Sequence, residues 1–492
     1  MNELLQTRRV FVFILALGLF VMAARSATDP DLWWHLRTGQ LIVQNHRVFH
    51  NDPYSFTRFN QPWVDHEWLS QIFIFSLYRA AGFAGLIAGF AAIIAAAFLL
   101  VFRRSPGQPY IPGAITVWGA VASIPCWGVR PQILTLLLAS IFLLLLERSY
   151  QHPKLLWWLP PLTLLWVNLH AGYALGIALL LLFLIGDGLD VAFGYKEPHL
   201  SGDRFRRLAL VTVTCAAVVP LNPYGMQMYR YPFETLHSRA MLAYIGEWLS
   251  PDFHQGRYLP TLFLMLATLV LPALSPRRLR PRELLLLTVT TYAALRSVRH
   301  IPIYVLVAAP LLSGMIDACL RAKGKTALFD SPQRPLSQPK LIANAILLAG
   351  FLFFTATRLR YVVVHQPETE AREFPAAAVS FLLASRPPSP LLNHYNWGGY
   401  FIWKLFPEYQ VYIDGRADLY GDSFMDQFDA SYSLKGKSWQ DPLSEFGIRT
   451  VVLPPDAPLS VALRQMPAWQ EVFADSQAVV LTKIESGSHR LP

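Results

Sequence analysis

Long runs without an ionisable side chain dominate this sequence. Residues 10–24 (VFVFILALGLFVMAA), 82–102, 133–146, 174–186, 260–274, 302–316 and 341–357 contain almost no charged group. At 1.5 Å rise per residue, each is near the length that crosses about 30 Å of hydrocarbon as a helix. Extending the pattern to the shorter apolar stretches gives the pairs 112–126 and 132–147, 155–169 and 173–192, 208–221 and 258–274, and 284–295 and 302–319. With the first two blocks and the last, this predicts about eleven spans. The first block reads as a retained span rather than a signal peptide, because no small-residue cleavage site precedes a soluble mature protein.

After Arg358 the pattern changes. FPAAAVSFLLASR (374–386) has the spacing of an amphipathic helix, and PLLN, QVYID, RTVVLP and AVVLTKI read as buried strands between helical stretches. Alternating strands and helices predict a small soluble α/β layer domain. The expected organisation is a transmembrane domain over residues 1–364, with a large first outer loop at 26–70, followed by an extracytoplasmic α/β domain over 365–492. A Pro- and Lys-containing linker covers 320–340.

Composition agrees: 53% of the 492 residues are hydrophobic and only 15% are charged, against about 25% in soluble domains. The net charge of +10 would suggest nucleic acid if it were clustered on one face. Instead it falls into short connectors: Arg8/Arg9, Arg103/Arg104, Arg148/Lys154, Lys196 through Arg207, Arg277 through Arg282, and Arg321 through Lys340. These alternate with the spans as cytoplasmic loops do under the positive-inside rule. The charge is a topology signal, and it argues against a nucleic-acid partner. It places the N-terminus in the cytoplasm and, with an odd span count, the C-terminal domain outside a bacterial-type inner membrane. Cys126, Cys215 and Cys319 lie in or beside apolar segments with no metal spacing and read as small core residues.

Candidate chemistry concentrates in the first outer loop, in TDPDLWWHLRTGQ (28–40), NDPYSF (51–56) and PWVDHEWLSQ (62–71). Asp29 before Pro30 is a helix-start signal, with the carboxylate as cap. Leu32, Leu36, Gly39 and Val43 then share one helical face, while Asp31 and His35 share another and are expected to face an aqueous cleft. Asp31 is either a solvated acid or a catalytic one. Asp65, His66 and Glu67 either complement the start of the next helix or form a second reactive cluster.

This layout resembles the GT-C superfamily of integral membrane glycosyltransferases. These have many spans, a large first outer loop with an acid soon after the first span, and often a soluble C-terminal domain outside. DLWWHLRTGQLIVQNH lines up without gaps on the family's succession of acid, amphipathic helix and turn. PWVDHEWL stands where the family carries its second loop motif. The resemblance implies transfer of a sugar from a polyprenyl-phosphate-linked donor to a glycan, lipid or protein acceptor, with inversion. It implies Asp31 as general base, Asp29 and His66 as further members of the catalytic set, and Glu67 supporting the acceptor or a metal. A divalent cation (Mg or Mn) is permitted by the loop carboxylates without being demanded.

Sugar transfer also needs cations to meet the charge developing on the leaving phosphate. Arg130, His170, Arg296, Arg299 and His300 lie at or near the predicted outer surface, against the positive-inside trend. With His35 and Arg37 they form the expected substrate-binding set. Arg296, Arg299 and His300 are its strongest members, because spacings of three and four residues would group them. The competing explanation for each arginine is snorkelling to lipid phosphate or pairing with Glu234 or Glu247. In the C-terminal part, Asp414, Arg416 and Asp418 of YIDGRADLYG (412–421) follow a predicted strand, where they read either as a functional loop or as a structural ion pair holding a tight glycine turn. Two other function classes remain open at this stage. One is a lipid-linked-glycan binder or transporter, disfavoured by the scarcity of mid-span charges apart from Asp187 and Asp190. The other is a membrane assembly protein.

Overall fold

The computed structural model describes residues 5–195, 202–324 and 337–484. Part of the basic connector beginning at Lys196 and most of the 320–340 linker therefore lie outside the described residues. The helices in chain order are α1 (Thr7–Ala23), α2 (Leu32–Asn45), α3 (Trp68–Arg104), α4 (Tyr110–Ser123), α5 (Gln132–Arg148), α6 (Leu159–Leu169), α7 (Tyr173–Ala192), α8 (Gly202–Ala217), α9 (Tyr231–His237) and α10 (Arg239–Tyr244). They continue with α11 (Leu259–Leu274), α12 (Pro281–Arg296), α13 (Ile301–Ala322), α14 (Gln338–Val364), α15 (Gln366–Glu373), α16 (Ala376–Ser385), α17 (Gly398–Leu405), α18 (Ala417–Tyr432), α19 (Asp441–Glu445) and α20 (Pro458–Arg464). Each apolar stretch read from the sequence is helical. Among the described residues, Trp68–Arg104, Tyr173–Ala192, Gly256–Leu274, Val298–Ala322 and Gln338–Val364 are long and apolar enough to cross a membrane, by length and composition.

The chain divides into two compact units. The first comprises residues 1–25, 84–232 and 245–363. Its centre is α13, where every side chain from Ile301 to Met315 is buried. Helix α4 approaches α13 closely at Gly119, where a Cβ would come within 2.5 Å of Val305 Cγ1; small residues let apolar helices pack at such short range. One end of this unit holds a buried polar cluster. Asp187 accepts from Tyr150 at 2.5 Å and from Arg282 at 3.1 Å, and pairs with Arg204, which also donates to Ser149. Two carboxylates, Asp187 and Asp190, thus meet two guanidiniums, Arg204 and Arg282. Neutralisation of this kind lets charge persist among apolar helices.

The second unit comprises residues 26–83, 233–244 and 364–492. A four-stranded sheet, in the order β1-β2-β4-β3, is built from β1 (Leu391–Asn393), β2 (Thr450–Leu453), β3 (Trp469–Ala474) and β4 (Val479–Lys483). β1 runs parallel to β2, with Leu392 opposite Val451. β4 is antiparallel to both β2 and β3. PLLN, RTVVLP and AVVLTKI supply three of these strands as expected, and β3 is an additional edge strand. QVYID is the exception. Its Val411 forms a single parallel bridge to Ser55 of the outer loop, and Asn393 at the end of β1 binds both Tyr412 N–H and Ile413 C=O. This extended segment is thus held between the outer loop and β1 and does not extend the ladder.

Two clusters of rings knit the outer loop to the C-terminal segment within this unit. Trp33 meets Phe374 at 5.2 Å and Tyr400 at 4.9 Å, both edge-on. Trp33 is fully buried, and truncating a residue so placed costs about 3–5 kcal/mol. Tyr412, Phe424, Phe446 and the loop's Phe56 form the second cluster. The backbone of Ala27, just past the first apolar helix, exchanges two hydrogen bonds with the buried Gln366 amide.

Candidate functional site

The start of α2 sets the position of Asp31. Asp29 Oδ1 accepts the Asp31 N–H at 3.0 Å, and its C=O accepts from Leu32. Asp29 therefore holds the turn ahead of the helix and is not its cap: α2 begins at Leu32, the cap position falls to Asp31, which makes no side-chain cap bond, and Asp31 stands at the helix entrance. Asp31 is half-buried. Its Oδ1 accepts Trp34 Nε1–H at 3.1 Å, one turn along the helix.

The C-terminal segment closes around this carboxylate. Gly415 lies directly against it, so that a Cβ added there would stand 3.0 Å from Asp31 Cγ and closer still to Oδ1. Gly399, at the start of α17, packs on the turn before α2, where a Cβ would meet Pro30 O at 2.5 Å. Tyr395 donates to Gly415 C=O at 3.3 Å. Burial first, and then the nearby carboxylates of Asp31, Asp414 and Asp418, push its hydroxyl well above the ordinary tyrosine range. It therefore remains a proton donor.

Beneath Gly415 the ion pair expected in this turn forms between Asp414 and Arg416, with Asp52 as a third member. Arg416 donates to Asp414 through Nε at 2.8 Å and Nη2 at 2.6 Å, and to Asp52 through Nη1 at 2.7 Å. Asp414 also accepts from Tyr420 at 2.8 Å, and Asp52 from Ser55 at 2.5 Å. The guanidinium lies 4.6 Å from the centre of the Trp63 ring. All three charged residues are buried, so NDPYSF and YIDGRADLYG meet in one network.

The Asp65-His66-Glu67 cluster lies at the entrance to α3. Glu67 is held between two imidazoles, with His35 Nε2 3.5 Å from Oε2 and His66 Nε2 3.4 Å from Oε1. Burial alone would lower the His66 pKa, but Glu67 outweighs it, helped by Asp418 and Asp65, so the net direction is upward. Burial pushes Asp65 up to about 7, against the pull of His66 and of the Gln71 side chain that donates to it. His35 departs from expectation. It is buried rather than open to a cleft, because the 62–71 segment covers that face of α2 and supplies Glu67. Arg37 is also committed internally: it donates to Phe406 C=O and lies over the Phe406 ring.

The other expected substrate-binding residues belong to the first unit. His170 Nδ1 accepts from Gly172 N–H at 2.8 Å and meets Thr135 Oγ1 at 2.9 Å. Accepting from the amide leaves Nδ1 without a proton, so the imidazole proton resides on Nε2. Arg130 and Arg299 both pair with Glu247, and Arg299 also covers the Trp248 ring. The helical grouping expected for Arg296, Arg299 and His300 is interrupted. Ser297 is extended (φ −152°, ψ 132°), so α12 ends at Arg296, which is exposed, and the other two enter a separate turn before α13. Among the described residues no three His, Cys, Asp or Glu side chains are arranged to hold a metal ion.

These helices and this sheet-bearing unit are similar in fold to a solved oligosaccharyltransferase. The Archaeoglobus fulgidus oligosaccharyltransferase, tethered by a disulfide to an acceptor peptide containing the NVT sequon, matches with a TM-score of 0.53 at 12% identity, over 92% of this chain and 69% of that one. The apo form of the same enzyme gives 0.49 at 12%, over 90% and 69%. A mutant arabinofuranosyltransferase AftD from Mycobacteria gives 0.48 at 15%, over 96% of this chain and 41% of that one. At these identities the likeness is one of fold. No protein-family profile matches the sequence, and no curated protein does.

Proposed function

We propose that the protein is an inverting membrane glycosyltransferase. It moves a sugar from a polyprenyl-phosphate-linked donor to an acceptor hydroxyl at the outer face of a bacterial-type inner membrane, with Asp31 as general base. The observation that carries this reading is the placement of Asp31. Its half-buried carboxylate is oriented by Trp34, backed by Gly415 and close to the Tyr395 hydroxyl, in a chain of GT-C-like fold.

The chemistry needs few groups. The acceptor oxygen attacks the anomeric carbon and gives its proton to Asp31. The bond between that carbon and the donor's phosphate oxygen breaks, and the polyprenyl phosphate leaves with the electron pair. A single displacement inverts the anomeric centre, so no glycosyl-enzyme nucleophile is required. A general base positioned in this way contributes about 10²–10⁴-fold. Glu67 and His66 support the acceptor side.

The test uses the full-length protein in nanodiscs with radiolabelled polyprenyl-phosphate sugars and a panel of glycan, lipid and sequon-peptide acceptors. Asp31→Asn should lower transfer at least 100-fold while leaving the unfolding midpoint unchanged. A folded D31N protein with wild-type turnover would remove Asp31 from the chemistry.

A further inference from the structure

Residues 225–237, in the connection between α8 and α11, carry three faces at helical spacing. Their backbone is a 3₁₀ turn (Gly225–Tyr229), a right-handed helical Arg230 (φ −87°, ψ −36°) and then α9. Met228 and Tyr231 are buried. Met226, Tyr229, Phe233 and Leu236, at spacings of three, four and three, are between 36% and 69% exposed. Gln227, Arg230, Glu234 and His237 repeat that spacing one residue later and are also exposed. An apolar stripe beside a polar one, with the third face buried, is the pattern of a helix at the boundary of protein, hydrocarbon and water. A helix that met only water would gain nothing from the apolar stripe.

The depth of this segment follows from its contacts. Tyr173, the first residue of α7, donates its hydroxyl to Met228 C=O. Tyr229 donates to Ala216 C=O, in the last turn of α8, at 2.6 Å. α7 is long and apolar enough to cross a membrane, and Tyr173 lies at the end opposite the basic connector that begins at Lys196. The segment therefore sits where a spanning helix ends, on the side that the positive-inside trend makes the outer one. The apolar side chains Val213 and Leu221, both within five residues of Ala216, are 66% and 63% exposed, so the stripe continues an apolar surface already turned outward.

Past α9 the chain is bonded to α18. Asp422 accepts from Ser238 Oγ at 2.6 Å, from Arg239 N–H at 3.0 Å and from Ala240 N–H at 3.1 Å. Asp426, one turn on, accepts from the Tyr244 hydroxyl at 2.8 Å. We propose that Met226, Tyr229, Phe233 and Leu236 enter the outer interface of the bilayer, and that the segment so anchored fixes α18 through Asp422 and Asp426. The partner is the lipid surface at its boundary of headgroup and acyl chain, and no particular headgroup is required. The proposal does not depend on the sugar-transfer reading.

The experiment places single nitroxide-labelled cysteines in the full-length protein in nanodiscs. Met226→Cys, Phe233→Cys and Leu236→Cys sample the apolar stripe, and Gln227→Cys, Glu234→Cys and His237→Cys the polar one. The unsubstituted protein gives the background from Cys126, Cys215 and Cys319. Collisions with oxygen, which partitions into lipid, are compared with those of nickel ethylenediaminediacetate, which stays in water. The apolar set should favour oxygen at a depth of about 5–10 Å into the boundary, and the polar set should favour the nickel complex. Equal access of the nickel complex to both sets overturns the proposal. So does protection of the apolar set from both reagents, which marks a protein partner or a second copy on that face. In a second arm, Phe233→Glu combined with Leu236→Glu should cost the Arg239 and Ala240 amides, which Asp422 holds, their protection from hydrogen exchange. Folding is checked by the sheet amides of Val451 and Val480 in the same sample. Unchanged protection at residues 239 and 240 overturns the fixing of α18. Loss of the glycosyltransferase reading through D31N would leave these readouts unaffected.

Discussion

Gly415→Ala places a methyl group against the carboxylate assigned as base. The added Cβ would lie 3.0 Å from Asp31 Cγ and nearer to Oδ1, whereas carbon contacts settle at about 3.5–4.0 Å. Relief comes from Asp31, because its carboxylate is the movable end of a side chain and Gly415 belongs to a turn anchored by Arg416. The carboxylate must swing by roughly 1 Å, and a misplacement of that size costs about 100-fold in rate. Stability should change far less. The swing loses the Trp34 Nε1–Asp31 hydrogen bond, worth about 0.5–1.5 kcal/mol, and the Gly415 φ lies outside the left-handed region, so alanine meets no backbone penalty there. The assay is initial-rate sugar transfer in nanodiscs, with the unfolding midpoint measured on the same preparations. The expected result is a fall of about 100-fold in turnover with the midpoint nearly unchanged. The D31N/G415A double variant should be no worse than D31N alone, since both changes act on one group. If G415A retains turnover within threefold, or if the two effects multiply, the geometry around Asp31 is not what sets the rate.

Two further outcomes follow from the buried charges of the second unit. Arg416→Met removes the only cation facing Asp52 and Asp414 among their described ion pairs, so it should destabilise the fold by about 3–5 kcal/mol, read as a lowered unfolding midpoint. Adding Asp52→Asn and Asp414→Asn should recover most of the loss, and an R416M protein as stable as wild type would contradict the network. For Asp65, burial raises the folded-state pKa to about 7, above its unfolded value, so the folded state holds a proton that the unfolded state releases. That contribution is fully present below about pH 4 and is lost as pH rises towards 7. Asp65→Asn should therefore gain stability relative to wild type between pH 4 and 7, and parallel midpoint-against-pH curves for the two proteins would refute it.

The apolar helices were legible because each is encoded by one uninterrupted window, and crossing length follows from residue count alone. The turn at Asp29 was legible because its partner, the Asp31 N–H, lies two residues away, and a tight ion-paired turn at residues 414–418 for the same reason, although the cap of α2 fell to Asp31. What stayed hidden spans distance. Arg416 and Asp52 are separated by 364 positions, and no periodicity links them. QVYID had the composition of a strand, yet what a strand pairs with is decided elsewhere in the chain, and Ser55 took the place of a sheet neighbour. His35 lay on the predicted face of α2, but its cover comes from the segment around Glu67. The spacing of Arg296, Arg299 and His300 misled because a helical period was carried across Ser297, where the backbone is extended.

The cost of the Asp52-Arg416-Asp414 network bears on what the C-terminal segment is for. Burying two carboxylates and a guanidinium demands desolvation that their attraction only partly offsets, and apolar residues of similar volume would hold two segments together at least as well. An apolar contact tolerates sliding, whereas a guanidinium bonded to two carboxylates through three of its nitrogens fixes register and angle together. The residue between Asp414 and Arg416 is Gly415, the one that backs Asp31. The network therefore sets the distance from the C-terminal turn to Asp31, the proposed base, at the entrance of α2. On this argument the turn at Gly415 forms one wall of the Asp31 site rather than an appendage to it. The expensive charges are placed where a shift of an ångström would matter most.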